Sequence, residues 1–161
     1  MTSRQGEALA WLPALSVGVP ALDDDHRVLI DLIEQIVAEP FKDSAAVIGT
    51  LLATLVEWTG FHFAREERMM EAIRFPDYRD HKRAHDLLTD QLVWTVERYG
   101  EDPMAVDIGG LRAFLRTWLH DHLTGADMAY RALADGDPRA GAAAASIGLD
   151  YFAGADEGAV V

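Results

Sequence analysis

Cysteine is absent from this 161-residue chain. Its absence excludes disulfides, thiolate-held zinc and iron–sulfur clusters, so any metal must be held by nitrogen and oxygen. Positive charge is scarce: 14 Lys and Arg stand against 27 Asp and Glu, a formal net charge of −13. Such a chain is repelled by phosphate backbones and by anionic lipid, which argues against nucleic-acid and membrane partners. Long hydrophobic runs are lacking as well, none approaching the ~20 apolar residues of a membrane span. Residues 8–22 are apolar, but Glu7 borders them, Pro13 and Pro20 interrupt them and only Arg4 precedes them. That is a poor signal peptide, and a cytoplasmic protein is the expectation.

Half the residues are apolar, a globular composition, and the length suits one domain with a real core. Four segments carry helical periodicity. The first, residues 22–38, has the seam Leu22, His26, Leu29, Ile33 and Ile36, whose alternating spacing of three and four marks a helix packed in a bundle. Asp23 to Asp25 place negative charge in its first turn, which suits the helix dipole. The second, residues 44–73, has Ser44 as N-cap and the seam Ile48, Leu51, Leu55, Trp58, His62, Glu66, Met69 and Ile73. Pro76 then breaks the chain and is placed to open the next helix at its first position.

The third segment, residues 77–99, carries Tyr78, His81, His85, Leu88, Leu92, Val96 and Tyr99, and Gly100 and Pro103 mark its end. The fourth, residues 107–131, reads Ile108, Leu111, Leu115, Trp118 and His122 from an uncertain start at Gly109 and Gly110. Short connections between long helices predict an all-α, antiparallel up-down-up-down four-helix bundle with an N-terminal arm, over residues 1–131. Residues 132–161 are rich in Ala and Gly and read as a mobile C-terminal tail. The alternative is a docking segment at residues 147–152, with Leu149, Tyr151 and Phe152 as its apolar side chains. The tail is also where a protein partner would engage.

Five of the six histidines lie on these four seams. At ~1.5 Å of rise per residue, His26, His62, Glu66, His81, His85, His122 and Asp127 fall within one slab of about 10 Å, facing inward from four sides. One histidine on an apolar face is ordinarily a satisfied core residue. Five on four seams are another matter, because each buried polar group left unpaired costs roughly 1–3 kcal/mol. A metal site turns that cost into binding energy. His120, about 200° around the helix from His122, should point outward. Asp127 is five residues from His122, about 140° around an ideal α-helix. Either the helix is locally widened, with Gly125 permitting it, or the carboxylate reaches in sideways.

Trp11 with Val17-Gly18-Val19, Asp23-Asp24-Asp25-His26-Arg27, His62-Phe63-x2-Glu66-Glu67-x2-Met70, His81-x3-His85 and Trp118-Leu119-x2-His122-x4-Asp127-x2-Tyr130 together resemble the hemerythrins, the single-domain bacterial form most closely. The resemblance covers about residues 11–131. It implies two non-haem iron ions joined by an oxo or hydroxo bridge. His81, His85 and His122 would hold one iron and His26 and His62 the other, with Glu66 and Asp127 bridging. Three nitrogens on one iron and two on the other leave a position open, where hemerythrins bind O2. The chain departs from the family pattern at Gly109-Gly110 and in its long tail, neither of which touches a ligand.

The ligand balance bears on chemistry independently. Carboxylate-rich di-iron bundles use four carboxylates and two histidines. Five neutral imidazoles against two carboxylates should favour reversible O2 binding over oxidation chemistry. Leu29, Trp118 and Leu119 are the candidate walls of a dry O2 pocket. A non-enzymatic O2 carrier, store or delivery protein is the leading expectation. A di-iron oxidase or peroxidase, an O2 or redox sensor, and iron storage are the alternatives.

Overall fold

The computed structural model describes residues 8–38, 40 and 44–153. Helix α1 spans Pro20–Ala38, α2 Ala45–Ile73, α3 Tyr78–Glu101 and α4 Ile108–Asp121. A five-residue π-helical turn, His122–Ala126, joins α4 to α5, Asp127–Ala134. Helix α6, Pro138–Ala145, and a 3-10 turn at Leu149–Phe152 complete the described chain. The architecture is the helical bundle expected, with no strand among the described residues.

The helix ends show which local signals act. Helix α1 begins two residues earlier than the periodicity implied, because Pro20 fits the first helical position, where an N–H has no intrahelical partner anyway. Asp23 turns back to accept from the Val17 N–H at 2.9 Å and the Ser16 hydroxyl at 2.6 Å, tying the N-terminal arm to α1. Gly18, at φ 79°, makes the bend of that arm, and any Cβ there would meet Asp135. Ser44 stands at the N-cap of α2, but its side chain caps nothing. Pro76 does not open α3; it lies in the turn before it, with Asp77 at the N-cap. Helix α3 runs through Gly100 to Glu101. Gly109 and Gly110 are absorbed in the first turn of α4 because the Asp107 carboxylate accepts from the Gly110 N–H at 3.1 Å.

The interior is divided into two apolar clusters. One contains Leu29, Ile33, Ile36, Ile48, Leu52, Leu55, Leu88, Leu92, Leu115 and Leu119. The other gathers Val17, Val19, Leu22, Met69, Met70, Ile73, Phe75 and Tyr130 with Ala140 and Ala144 of α6. The polar seam residues lie between them, so both ends of the site are sealed by hydrocarbon. Helix α2 alone among the described helices is long and apolar enough to cross a membrane, at mean hydropathy 1.3. Here its apolar side chains supply both clusters.

Residues 132–153 add helical structure to the bundle. The boundary set at residue 131 falls inside α5, and α6 packs along α2 through the fully buried Ala140 and Ala144. Two methyl-sized side chains allow a close approach that no larger residue would permit. Phe152 then packs against Trp58 and Phe61 with ring centroids 5.3 and 4.9 Å away, and Tyr151 against Phe61 at 5.6 Å. The docking segment is therefore what these residues form. The remainder of the expected mobile tail, residues 154–161, lies outside the described residues.

Candidate metal centre

Each helix delivers its polar residues at the depth expected. His26 comes from the second turn of α1, His62 and Glu66 from one face of α2, and His81 and His85 from the first two turns of α3. His122 opens the π-helical turn and Asp127 follows it. The Asp127 N–H donates to the His122 carbonyl, an i→i+5 bond, so one wide turn sets the two side chains on the same face. The helix is locally widened, as one of the two alternatives required. Gly125 is not the cause: it is exposed, has open space where a Cβ would be, and needs no positive φ.

All seven side chains are buried: His26, Glu66 and Asp127 completely, and His122, the most accessible, to 8 % exposure. His120 is exposed, as expected. The seven form two overlapping groups whose ligand atoms all lie within 4.8 Å of one another. Glu66, His81, His85 and His122 make the first; His26, His62, Glu66 and Asp127 make the second. Glu66 belongs to both. Its Oε2 stands 3.0 Å from His85 Nε2, 3.6 Å from both His62 and His81 Nε2, and 4.0 Å from His122 Nε2. Asp127 spans the groups with its two oxygens. Oδ1 lies 3.0 Å from His122 Nε2 and 3.5 Å from His81 Nε2, and Oδ2 lies 3.3 Å from His26 Nε2.

A second layer of side chains surrounds these candidate ligands, and of its members Asp25, Phe63, Glu67 and Lys82 were given no part in the site by the sequence. Glu67 Oε1 lies 3.1 Å from His85 Nδ1, and Lys82 holds the other Glu67 oxygen at 3.3 Å. The proton of His85 therefore belongs on Nδ1, leaving Nε2 free as a ligand atom. Phe63 stacks flat on the same ring, 3.6 Å between centroids and 6° between planes. Asp25 Oδ2 faces His62 Nδ1 at 3.6 Å. Trp118 stacks on His122 at 5.4 Å and 24°. Leu29 and Leu119 are buried in the adjoining apolar cluster, against which Trp118 packs. The available signal was adjacency: Asp25, Phe63 and Glu67 each sit one residue from a ligand.

The buried carboxylates and histidines act strongly on one another. Burial opposes ionisation of Glu66, but the histidines His122, His81 and His85 hold it well below the usual carboxylate range. Burial and the Glu66 charge oppose ionisation of Asp127, and His122 and His26 outweigh them. Burial would strip the proton from His122; the Asp127 and Glu66 carboxylates override it and raise His122 to about 10. His62, by contrast, is held below its ordinary value, chiefly by burial. Burial, with the charges on Glu66 and Asp127, keeps the Tyr130 phenol protonated.

The decisive observation is polar satisfaction. The five Nε2 atoms and all four oxygens of Glu66 and Asp127 are buried with no hydrogen-bond partner. They converge on one another, yet at roughly 1–3 kcal/mol for each orphaned group such a centre is unstable as an ordinary core. Two nitrogen or oxygen ligands at right angles on a metal, each about 2.1 Å from it, stand about 3 Å apart. The 3.0–3.6 Å separations here fit that donor set, and the cluster can bind metal.

Residues 17–134 match the hemerythrin HHE cation binding domain. The chain belongs to the hemerythrin family. It is 31 % identical over 124 residues to a bacteriohemerythrin of Stenotrophomonas maltophilia, covering 76 % of this chain and 78 % of the relative. A bacteriohemerythrin of Pseudomonas aeruginosa is 31 % identical over 126 residues, with the same coverages. Hemerythrin subunit 1 of Golfingia vulgaris is 30 % identical over 122 residues, 75 % of this chain and 89 % of that protein. No solved structure matches the chain. The hemerythrin match ends with α5, so α6 and the Leu149–Phe152 turn lie outside it.

Proposed function

We propose that this hemerythrin binds dioxygen reversibly at a non-haem di-iron centre, serving as a carrier, store or delivery protein. The reading rests on the two ligand groups that share Glu66, three histidines falling to one and two to the other. His81, His85 and His122 would hold one iron, His26 and His62 the other. Glu66 and Asp127 would bridge, as their placement across both groups supports. Two iron ions held by these residues would supply the reversible electron donation that O2 binding requires.

The chain's own residues set the terms of that exchange. Imidazoles outnumber carboxylates, which moderates the drive toward oxidation and makes the role binding and not catalysis. Leu29, Leu119 and the half-buried Trp118 exclude water from the site. Glu67 and Lys82 fix the His85 tautomer. Tyr130, kept protonated beside the carboxylates, offers a proton donor within a dry interior. A net charge that disfavours anionic surfaces is compatible with a cytoplasmic setting.

The test is the visible spectrum of the anaerobically reduced, iron-loaded protein before air, after air and again under argon. A band that grows with O2 and fades under argon is expected. A band that persists, or irreversible oxidation on the first exposure, would move the function to oxidase or redox sensor.

A further inference from the structure

Arg65 lies on α2 three residues after His62, about 60° around the helix from it, and reaches both α6 and Asp25. Its Nε donates to the Ala144 carbonyl at 3.1 Å, in the last turn of α6. Its Nη1 donates to Asp25 Oδ1 at 2.8 Å. Its guanidinium also stacks over the Phe61 ring, 4.7 Å from the centroid, and that ring in turn packs against Tyr151 and Phe152. A cation is favoured at a helix C-terminus, where carbonyls lack partners. Arg65 is thus held by α6 directly and by the Leu149–Phe152 turn through Phe61.

Asp25 carries the connection inward. It is 3 % exposed, and with Oδ1 taken by Arg65 its Oδ2 faces His62 Nδ1 at 3.6 Å. Both of those atoms are buried and have no hydrogen-bond partner, so each is the other's nearest available one. A carboxylate at the outer nitrogen of a metal-binding histidine fixes its tautomer, orients the ring and raises its basicity. His85 receives this from Glu67 and Lys82, both within the family-matched span. For His62 the carboxylate facing that nitrogen is Asp25, which is bonded to Arg65 and through it to α6.

We propose that Arg65 is a positioning residue for His62, and that the docked segment of residues 138–152 is the clamp that holds it. Undocking the segment frees Arg65, lets Asp25 rotate and loosens the histidine of the two-histidine metal position. The three-histidine position is left untouched. The inference rests on His62 being a metal ligand.

The experiment uses the full chain, labelled with 15N-histidine and loaded with zinc(II). Three variants are compared with it: Arg65→Ala, Arg65→Lys, and the double variant Tyr151→Ala/Phe152→Ala, which leaves Arg65 and Asp25 in place. The expected result is faster water exchange of the His62 Nδ1 proton, by about tenfold or more, in Arg65→Ala and in the double variant. Arg65→Lys, which keeps the charge but offers one nitrogen for two oxygens, falls between. Zinc should bind about 10–100-fold more weakly at one of its two positions, the range for loss of such outer partners. The His85 Nδ1 proton should keep its wild-type rate. An unchanged His62 proton in the double variant overturns the proposal, as does equal acceleration of His62 and His85, which would mean general loosening. Failure of the underlying reading is distinguishable: the His62 ring signals of the unmutated chain would then not move on zinc addition.

Discussion

Glu66 sits at the junction of the two ligand groups, and its replacement by glutamine separates charge from shape. The amide keeps the volume of the carboxylate but loses the negative charge toward which four histidine Nε2 atoms converge at 3.0–4.0 Å. Loss of an outer-shell partner typically costs 10–100-fold in metal affinity, so loss of a ligand shared by both positions should cost at least about 100-fold at each. Metal stabilises the fold by RT ln(1 + [L]/Kd), which is about 2.7 kcal/mol per site at 100 times Kd. A 100-fold weaker site at the same ferrous concentration retains only about 0.4 kcal/mol. The difference, about 2.3 kcal/mol per site, corresponds to roughly 5–9 °C in melting temperature for a domain of this size. The assay is thermal unfolding under argon with and without ferrous iron, paired with iron content after gel filtration. Without metal, Glu66→Gln should melt near the unmutated protein, since it removes a buried charge as well as that charge's attraction to His122. His120→Ala, altering the exposed histidine, should change neither quantity. Two tightly held irons and a full metal-dependent shift in Glu66→Gln would refute the shared-ligand assignment.

The Glu34–Arg116 pair, in which Arg116 Nε donates at 2.7 Å while Glu34 also accepts from the Leu9 N–H at 3.0 Å, joins the N-terminal arm to α4. Burial works against the Glu34 charge, but these partners hold its carboxyl below the ordinary 4.5. Its stabilisation is accordingly full above pH 4.5 and is lost as pH falls through the lowered value. The melting temperatures of the unmutated protein and Glu34→Gln should therefore differ at pH 7 by the equivalent of about 1 kcal/mol, and converge in acid. Gly125→Ala should stabilise by about 0.5–1 kcal/mol in urea unfolding with metal content unchanged; loss of metal would show that the wide turn does need glycine. Arg74, at φ 58° after α2, occupies the left-handed region, which costs a residue with a Cβ roughly 1–2 kcal/mol. Arg74→Gly should gain about 0.5–1 kcal/mol after the extra freedom of the unfolded chain is deducted, and a loss in urea unfolding would point to an unrecognised contact of the Arg74 side chain.

The candidate ligands were legible because a metal site in a bundle obeys the same periodicity as the core around it. A histidine that must face inward takes a seam position, so His26, His62, His81, His85 and His122 fall in step with Leu29, Leu55, Leu88 and Leu115. Asp127 is out of step by one residue, and that misfit located the π-helical turn without choosing between it and a sideways reach. What periodicity cannot register is a contact made by the absence of side chain. Ala140 and Ala144 bury completely against α2, yet in sequence they belong to an Ala- and Gly-rich stretch whose composition also suits an unstructured tail.

The counterpart signal lay on α2. Phe61 is 1 % exposed although it stands off the seam, and an aromatic residue there needs a cover that a four-helix bundle does not supply. Gly60 beside it leaves room for Tyr151, whose hydroxyl would come within 3.2 Å of any Cβ at that position. A second apolar face on a central helix thus implies a further element, and Arg65, one turn beyond Phe61, carries that element's position back to Asp25 and His62. The same spacing that turns His62 inward sets Arg65 about 60° and Phe61 about 100° around the helix from it, so one flank of α2 meets the candidate metal cluster and the next meets the C-terminal segment.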